Sequence, residues 1–514
     1  MAQTEATIRT LDRIFNARAV AVVGASNDPA KFGYMTMNSI LSGGYEGALY
    51  PINPKGGEIL GRKVYTSLAD LPQTPDLAAI IIPAQMVPGV VLEAAKLGIP
   101  GAMIMSGGFR EAGRADLEAE IGAISREYGI RILGPNIQGI NYLPNKLCAM
   151  FLPVIKTRGP LAVITQSGSV TAALIEWAAD EGLGISAAVN LGNQVDLCES
   201  DYIDFFAQDE NTKAIVLYLE SVKNGRRFLN TVKQAVLKKP VCILKTGRTA
   251  EGKKAAASHT GSLAGNFEVF SAVCRQLGVF CADDLEHLYD GAKALAAVRP
   301  PQGNRLMFIT TSGGAATLAS DLVKEAGLIL PALSEELVSE LKTSHLPALA
   351  ILSNPLDMAG GILAEYFERS VLAADRRGAA DIYFLSFADP VAESAEMLQR
   401  VAPQLQGSLA VLYMGGGEQE KIGRVKMHQA GFPVFPTPER AMRGLAAVMA
   451  IKNFKAKSEA DKPAGLDYVW NESKPQESEA KPVFVLEPEA ARRLAEFNIP
   501  YPEHALAADP DQAA

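Results

Sequence analysis

Short apolar runs alternate with helix-length segments from near the N-terminus to about residue 454, and this alternation confines the chain to parallel sheets wrapped by helices. A strand covered on both faces reads as an unbroken apolar stretch, and such stretches recur here in three blocks. In the first block the expected strands are Ala19–Val23, Ala48–Pro51, Leu77–Ile82, Gly101–Met105 and Arg131–Leu133. The second runs from Gly159 to near Arg299, with strands at Leu161–Ile164, Ile185–Val189, Ala214–Tyr218, Val241–Leu244 and Val279–Cys281. The third extends from Arg305 to about Phe454, with strands at Met307–Ile309, Ile382–Phe387, Leu409–Tyr413 and Val434–Phe435. Arg299-Pro300-Pro301-Gln302-Gly303 punctuates the second boundary, because a proline pair and a glycine interrupt both helix and strand. A chain of 514 residues exceeds one ordinary core, so about three domains are expected. The expected units are 1–145, 155–300 and 303–455.

From Lys455 to about Pro482 the composition turns to Lys, Glu, Asp, Ser and Pro, so 456–482 reads as a solvated linker. Residues 483–514 then offer a short apolar run, Phe484-Val485-Leu486, a helical segment, Ala490–Phe497, and an extended turn. These cannot bury a core alone and read as the opening of a further, incomplete domain.

An internal repeat links the second and third blocks. Leu161-Ala-Val-Ile-Thr-Gln-Ser-Gly168 leads into a helix ending at Asp180-Glu-Gly-Leu183, and Leu306-Met-Phe-Ile-Thr-Thr-Ser-Gly313 leads into one ending at Lys324-Glu-Ala-Gly-Leu328. Strand–glycine–helix units recur in all such sheets, but identity at both ends of the unit favours a related pair of domains. Each Ser-Gly turn opens a helix whose free backbone N–H groups suit a phosphate.

Composition excludes several functional classes. Hydrophobic residues make up 48% and charged residues 21% of the chain, as in globular proteins. The net charge of −8 carries no dominant basic tract, which disfavours nucleic-acid binding. No apolar run approaches a membrane span, and the N-terminus lacks the pattern of a signal peptide. Five cysteines without paired close spacing suggest a reduced, cytoplasmic protein and no zinc site.

In the first block, Gly24-Ala25-Ser26 follows a strand as in dinucleotide folds but lacks the full G-x-G-x-x-G pattern. The second strand runs into Asn53-Pro54-Lys55, with a lysine where an NAD-binding fold places an acid. A cation there suits a nucleotide with an extra phosphate, such as NADP or coenzyme A; an incidental surface lysine is the alternative. Pro83-Ala84, Ser106-Gly107 and Pro135-Asn136 each follow a strand and would gather at the carboxyl edge of one sheet, where ligands bind.

The most reactive-looking segment lies between Lys245 and Gly265, where small, flexible residues flank one imidazole, His259, in a chain with five histidines. Such a loop presents a nucleophile better than it builds a core, although an arbitrary loop histidine is most often a surface residue. Glu220 ends the neighbouring strand and could orient that ring; an exposed helix-capping acid is the other reading. Asp196, Glu199 and Asp201 read as solvated charge after a strand rather than a metal site. No other histidine has metal-ligand spacing to a partner, and no G-x-S-x-G elbow or Walker A sequence is present.

Taken in order, Gly24-Ala-Ser, Tyr50-Pro-Ile-Asn-Pro-Lys55, Leu133-Gly-Pro-Asn136, Thr165-Gln-Ser-Gly168, Asn190-Leu-Gly-Asn193, Tyr218-Leu-Glu220, Ser258-His-Thr-Gly-Ser-Leu-Ala-Gly265, Ser312-Gly-Gly314 and Ser353-Asn-Pro-Leu-Asp357 resemble the NDP-forming acyl-CoA synthetases. That family includes ADP-forming acetyl-CoA synthetase and, more distantly, succinyl-CoA synthetase. The resemblance covers nearly the whole chain. It implies a Rossmann-like CoA-binding domain, two flavodoxin-like ligase domains and, from about Val483, the start of an ATP-grasp domain. Asn136-Ile137 departs from the Asn-Cys usual in many relatives.

Carried over residue by residue, the resemblance implies that His259 is phosphorylated by ATP and that Glu220 orients the imidazole. It implies CoA contacts at Gly24, Ala25, Ser26, Asn53, Lys55, Pro83, Ala84, Ser106, Gly107 and Asn136. It also implies phosphate seats at Gln166-Ser167-Gly168 and Ser312-Gly313-Gly314. The expected substrates are a carboxylic acid, CoA and ATP, with ADP as product and Mg2+ accompanying the nucleotide. The ATP-grasp part is expected in cis or on a partner subunit, and the protein is expected to form a homo-oligomer. Two other readings remain: a non-catalytic CoA- or acyl-CoA-sensing module of a protein acetyltransferase, and an NADP-dependent reductase, which leaves the histidine loop unexplained.

Overall fold

The computed structural model of the chain describes residues 2–152, 154–254, 266–359, 363–388, 391–415 and 417–460. His259, the expected ATP-grasp start and residues 461–482 of the expected linker lie outside the described residues, while residues 456–460 of that linker instead continue helix Pro438–Ala460.

Three α/β sheets carry the described chain. In the first, five parallel strands lie in the order Ala48–Ile52, Ala19–Val23, Leu77–Ile80, Gly101–Ile104, Arg131–Leu133. The interior strand Ala19–Val23 is buried along its whole length, as its apolar run requires. The second sheet has seven strands, in the order Phe280–Cys281, Val241–Lys245, Ala214–Leu219, Arg158–Thr165, Ile185–Asn190, Gly139–Tyr142, Leu147–Met150. Its last two strands form an antiparallel hairpin drawn from residues 139–150, which straddle the sequence boundary expected at 145. The third sheet has six strands, in the order Ile351–Leu352, Leu356–Asp357, Leu306–Thr310, Ile382–Phe387, Ser408–Tyr413, Val434–Phe435.

The repeat seen in the sequence has a physical counterpart. Strands Arg158–Thr165 and Leu306–Thr310 lie inside their sheets, and each ends in a threonine that holds the following turn. Thr165 Oγ1 donates to the Ser167 carbonyl at 2.8 Å, and Thr310 Oγ1 donates to the Ser312 carbonyl at 3.3 Å. Those turns open the helices Gly168–Asp180 and Gly313–Val323.

The first two sheets share one apolar core. The N-terminal helix, Ala2–Phe15, brings Phe15 against Tyr142, Phe205 and Phe206, with ring centroids 5.3, 4.9 and 5.3 Å away. Arg131, on the edge strand of the first sheet, grips Asp196 through two hydrogen bonds of 2.7 and 2.9 Å. Asp201 accepts from the Cys198 N–H at 2.9 Å and pairs with Arg227, while Glu199 and Asp201 are each only 1% exposed. The expectation of solvated charge in this loop is therefore corrected: Asp201 caps a helix, Glu199 is buried on it, and Asp196 ties the loop to the edge strand of the first sheet, along which the Leu197 N–H also donates to the Ile132 carbonyl at 3.2 Å.

The third sheet joins the second through buried charge. Lys293, wholly buried on helix Leu285–Ala297, contacts Glu181 at 2.9 Å and Asp290 at 3.3 Å. Arg440, on helix Pro438–Ala460, binds Asp290 with two hydrogen bonds of 2.6 and 2.8 Å. His428 sits in this cluster, 3.6 Å from Glu181, and burial, with Lys293 alongside, pushes its imidazole down to about 3. The unfolded chain therefore takes up a proton that the fold refuses, so stability is full above the ordinary histidine value of 6.5 and falls as pH drops toward 3. Urea unfolding should lose about 2–3 kcal/mol between pH 6.5 and about 4.5 relative to His428→Gln. Equal slopes for the two proteins would show that His428 is not the titrating group.

Candidate functional site

A cavity of about 410 Å³ opens between the first and second sheets. Its wall includes Ser106, Gly107 and Asn136 from the carboxyl edge of the first sheet, and Gln166 and Gly168 from the turn that opens helix Gly168–Asp180. Five of the residues singled out in the sequence thus meet in one space. Ser106 braces the neighbouring strand end, accepting from the Ile82 N–H at 3.1 Å and donating to the Ile82 carbonyl at 2.6 Å. Asn136 adopts φ +60, and its N–H donates to the Ser106 carbonyl at 3.0 Å, which turns the chain back over the strand ends.

Local packing explains the glycine at the head of the first loop. Gly24 has φ +92, and an added Cβ would stand 2.1 Å from the Ile81 carbonyl oxygen, so any side chain would push the two strand ends apart. Asn53 Nδ2 donates to the Ala25 carbonyl at 2.9 Å, and Asn53 Oδ1 accepts from the Lys55 N–H at 3.0 Å. Ser26 accepts from the Asp28 N–H at 3.0 Å. Lys55 and Pro83 are exposed and Ala84 is buried. These residues occupy the same sheet edge as the cavity but do not form its wall.

Glu220 ends strand Ala214–Leu219 and is 5% exposed. The Gln166 amide clamps the turn around it: its Nε2 donates to the Ser221 carbonyl at 2.9 Å, and its Oε1 accepts from the N–H groups of Glu220 and Ser221. Lys245, at the end of the adjacent strand, donates to the Glu220 carbonyl at 2.8 Å. Burial lowers the Lys245 ammonium from its usual range, and the Glu220 charge partly offsets that. Gln166 therefore positions Glu220 with both ends of its side chain. Ser221 lines the cavity, whereas Glu220, the residue before it, does not form the wall.

The two Ser-Gly turns differ. Ser167 makes no side-chain cap to helix Gly168–Asp180 and instead meets the Ser169 hydroxyl at 3.1 Å. Ser312 caps its own helix, accepting from the Ala315 N–H at 3.3 Å, and Asp357 Oδ2 lies 2.9 Å from where a Cβ on Gly313 would stand. A helix N-terminus whose N–H groups lack a side-chain cap is the better seat for an anion. Ser312, Gly313 and Gly314 belong to the third sheet and are absent from the wall of this cavity.

Sequence reasoning missed much of the wall. Gln138 packs on Gly168, where an added Cβ would come within 2.3 Å of its Nε2, and the Gln138 N–H donates to Asn190 Oδ1 at 3.0 Å. Asn193 Nδ2 donates to Glu111 at 2.6 Å and Glu118 at 2.7 Å. Asn190 and Asn193 lie in a quoted motif and could have been found there. Phe32, Phe151 and Lys223 carry no local signal, since folding alone brings them to the cavity.

Fold and cavity define an α/β protein that joins a nucleotide-type parallel sheet to a flavodoxin-like sheet across a shared cavity. Residues 18–143 match a family described as a CoA binding domain, and residues 158–295 match the succinyl-CoA ligase like flavodoxin domain. The chain is 39% identical over 459 residues to the alpha subunit of ADP-forming acetate–CoA ligase I of Pyrococcus furiosus, covering 87% of this chain and 99% of that one. It is 35% identical over 449 residues to ADP-forming acetate–CoA ligase I of Archaeoglobus fulgidus, again over 87% of this chain but 64% of the relative. A solved dinucleotide-forming acetyl-coenzyme A synthetase 1 of Ca. Korarchaeum cryptofilum, in complex with phosphate and ADP, superimposes with a TM-score of 0.79 at 35% identity, covering 87% of this chain and 98% of that one. The chain belongs to the ADP-forming branch of the NDP-forming acyl-CoA synthetases, a family of acid–thiol ligases.

Proposed function

We propose that this chain is the CoA-binding, phosphohistidine-bearing part of an ADP-forming acid–CoA ligase. The observation that carries the reading is the cavity in which the strand ends at Ser106, Gly107 and Asn136 face the uncapped start of helix Gly168–Asp180, with Glu220 alongside. The first sheet edge holds CoA, with Gly24, Ala25, Ser26, Asn53, Lys55, Pro83 and Ala84 along its length. The helix start at Ser167-Gly168 receives the phosphoryl group, because its N–H groups and dipole favour negative charge. Glu220, fixed by Gln166, orients the His259 ring.

The chemistry balances in three steps. An imidazole nitrogen of His259 attacks the γ-phosphorus of ATP and releases ADP. A carboxylate oxygen of the acid then takes the phosphoryl group, restoring the imidazole and forming an acyl phosphate. The CoA sulfur attacks the acyl carbonyl and expels phosphate, giving the thioester. Helix N-termini stabilise the charge as it moves, and His259 carries the phosphoryl group from the nucleotide to the acid.

ATP loading requires an ATP-grasp part, in cis or on a partner subunit, and the Pyrococcus furiosus relative is itself an alpha subunit. Mg2+ would enter with the nucleotide; among the described residues no group of three or more His, Cys, Asp or Glu could hold a metal. Ser312-Gly313-Gly314 serves as the second phosphate seat in this scheme. A cytoplasmic setting and a homo-oligomeric assembly complete the reading; among the described residues no helix is long and apolar enough to cross a membrane.

The test combines the full chain with an ATP-grasp subunit and γ-labelled ATP. An acid-labile, alkali-stable label on this chain, discharged by a carboxylic acid together with CoA, is the expected result. Thioester formation without any labelled intermediate on the chain would sink the reading.

A further inference from the structure

The cavity has two faces of opposite chemistry. Its polar face carries Arg110, Glu111, Asn193 and Lys223, and its apolar face carries Phe32, Met105, Ile137 and Phe151. The polar groups are already engaged with one another. Lys223 Nζ donates to the carbonyls of Asn193 and Gln194 at 2.6 and 2.8 Å. Arg110 pairs with Glu118 at 2.7 Å. Glu111 accepts from the Gly108 and Phe109 N–H groups at 2.7 and 3.1 Å, and from Asn193 at 2.6 Å. Burial alone would raise its carboxyl, but these hydrogen bonds outweigh it and hold the group below the usual range. The donors of Lys223 are engaged by two carbonyls and Arg110 is paired with Glu118, so the ionised Glu111 beside them disfavours a second carboxylate on a substrate.

The apolar face shows the reverse. Phe32 begins helix Phe32–Ser42 and stacks at a tilt on Phe151, with ring centroids 4.5 Å apart. Even so, 54% of Phe32 remains exposed beside the cavity, whereas Met105 and Ile137 behind it are buried. An aromatic pair left open to a cavity gains contact area only when an apolar ligand covers it.

We infer that the Phe32–Phe151 wall receives the acyl group and selects apolar monocarboxylic acids bearing a ring over acetate-sized and dicarboxylic acids. This rests on the ligase reading above. Phe32 and Phe151 act as specificity residues: the ring of the acyl group packs against theirs, while its carbonyl points toward the helix start at Gly168.

Calorimetric titration of the full chain with CoA, acetyl-CoA, succinyl-CoA and phenylacetyl-CoA tests this. Phenylacetyl-CoA is expected to bind about tenfold more tightly than acetyl-CoA, with succinyl-CoA weakest. In Phe32→Val and in Phe151→Val the ratio of phenylacetyl-CoA to acetyl-CoA affinity should fall to within about twofold. Phe32 is half exposed on a first helical turn, so its variant keeps the test open should Phe151→Val fail to fold. CoA binding with a flat thioester series, tightest binding of succinyl-CoA, or a ratio that survives both substitutions overturns the wall. Absence of binding by CoA itself overturns the ligase reading beneath it.

Discussion

Glu220→Gln should lower acid-dependent thioester formation by about 10²–10³-fold, while His259→Ala abolishes it. Glutamine keeps the shape of the side chain, and the Gln166 clamp engages the backbone of residues 220–221, so the strand end stays in place. In the proposed reaction, what disappears is the negative charge assigned to orient the His259 imidazole and to stabilise its cationic, phosphorylated form. Rapid-quench measurement of phosphoenzyme formation and discharge separates the two effects. Glu220→Gln should load slowly and lose its label early, whereas His259→Ala should never load. The melting transition of Glu220→Gln should stay cooperative and within a few degrees of wild type. Unchanged phosphoryl transfer in Glu220→Gln would remove Glu220 from the reaction and leave it a structural acid beside Lys245.

Lys293→Met should cost about 3 kcal/mol of stability, the largest effect expected from one substitution remote from the cavity. Lys293 is wholly buried, and its ammonium lies 2.9 Å from Glu181, 3.3 Å from Asp290 and 4.6 Å from the centroid of the Phe435 ring. Methionine fills similar volume but leaves buried Asp290 and largely covered Glu181 with less compensation. Arg440 still contacts both, at 2.6 Å to Asp290 and 3.6 Å to Glu181, which keeps the loss below that of an isolated buried charge. Adding Glu181→Gln to Lys293→Met should recover part of the loss, since the uncompensated charge is then removed. Urea unfolding of the single and double variants measures this; a loss under about 1 kcal/mol for Lys293→Met would show that the cluster is not holding the third sheet.

Apolar runs make the parallel strands of this chain legible, even the short edge strands Arg131–Leu133 and Val434–Phe435. Ala19–Val23 and Ile382–Phe387 match the sequence expectation at both ends, because a strand buried on both faces is apolar along its length, here with Ser386 as the one small polar residue. Leu77–Ile82 and Gly101–Met105 were read too long, since Ile81, Ile82 and Met105 remain apolar after the strands end at Ile80 and Ile104. The hairpin Gly139–Tyr142 and Leu147–Met150 was not read at all. Its pairing is antiparallel, and its partner in the second sheet, Ile185–Asn190, lies far along the sequence. Strands Ile351–Leu352 and Leu356–Asp357, two residues each, are too short to show any period. The acidic loop at residues 196–201 is opaque in the sequence for a related reason: charge looks solvated until the distant strand it bonds to is known.

By itself the sequence determined that this is a protein of parallel α/β sheets, that two of its units share a strand–threonine–serine–glycine–helix plan, and that the relevant small residues stand at strand ends. Those properties are local, set by backbone sterics, burial on two faces and the geometry of a helix start. Only the tertiary structure decided that the first and second sheets enclose one cavity, that the Ser167 turn is left uncapped while Ser312 caps its own helix, and that Gln166 clamps the strand end beside Glu220. It also decided that Phe32 and Phe151 meet on one wall of that cavity. These arrangements depend on contacts between residues far apart in the chain, and no local pattern records which distant side chain will arrive to fill, pair with or leave open a given surface.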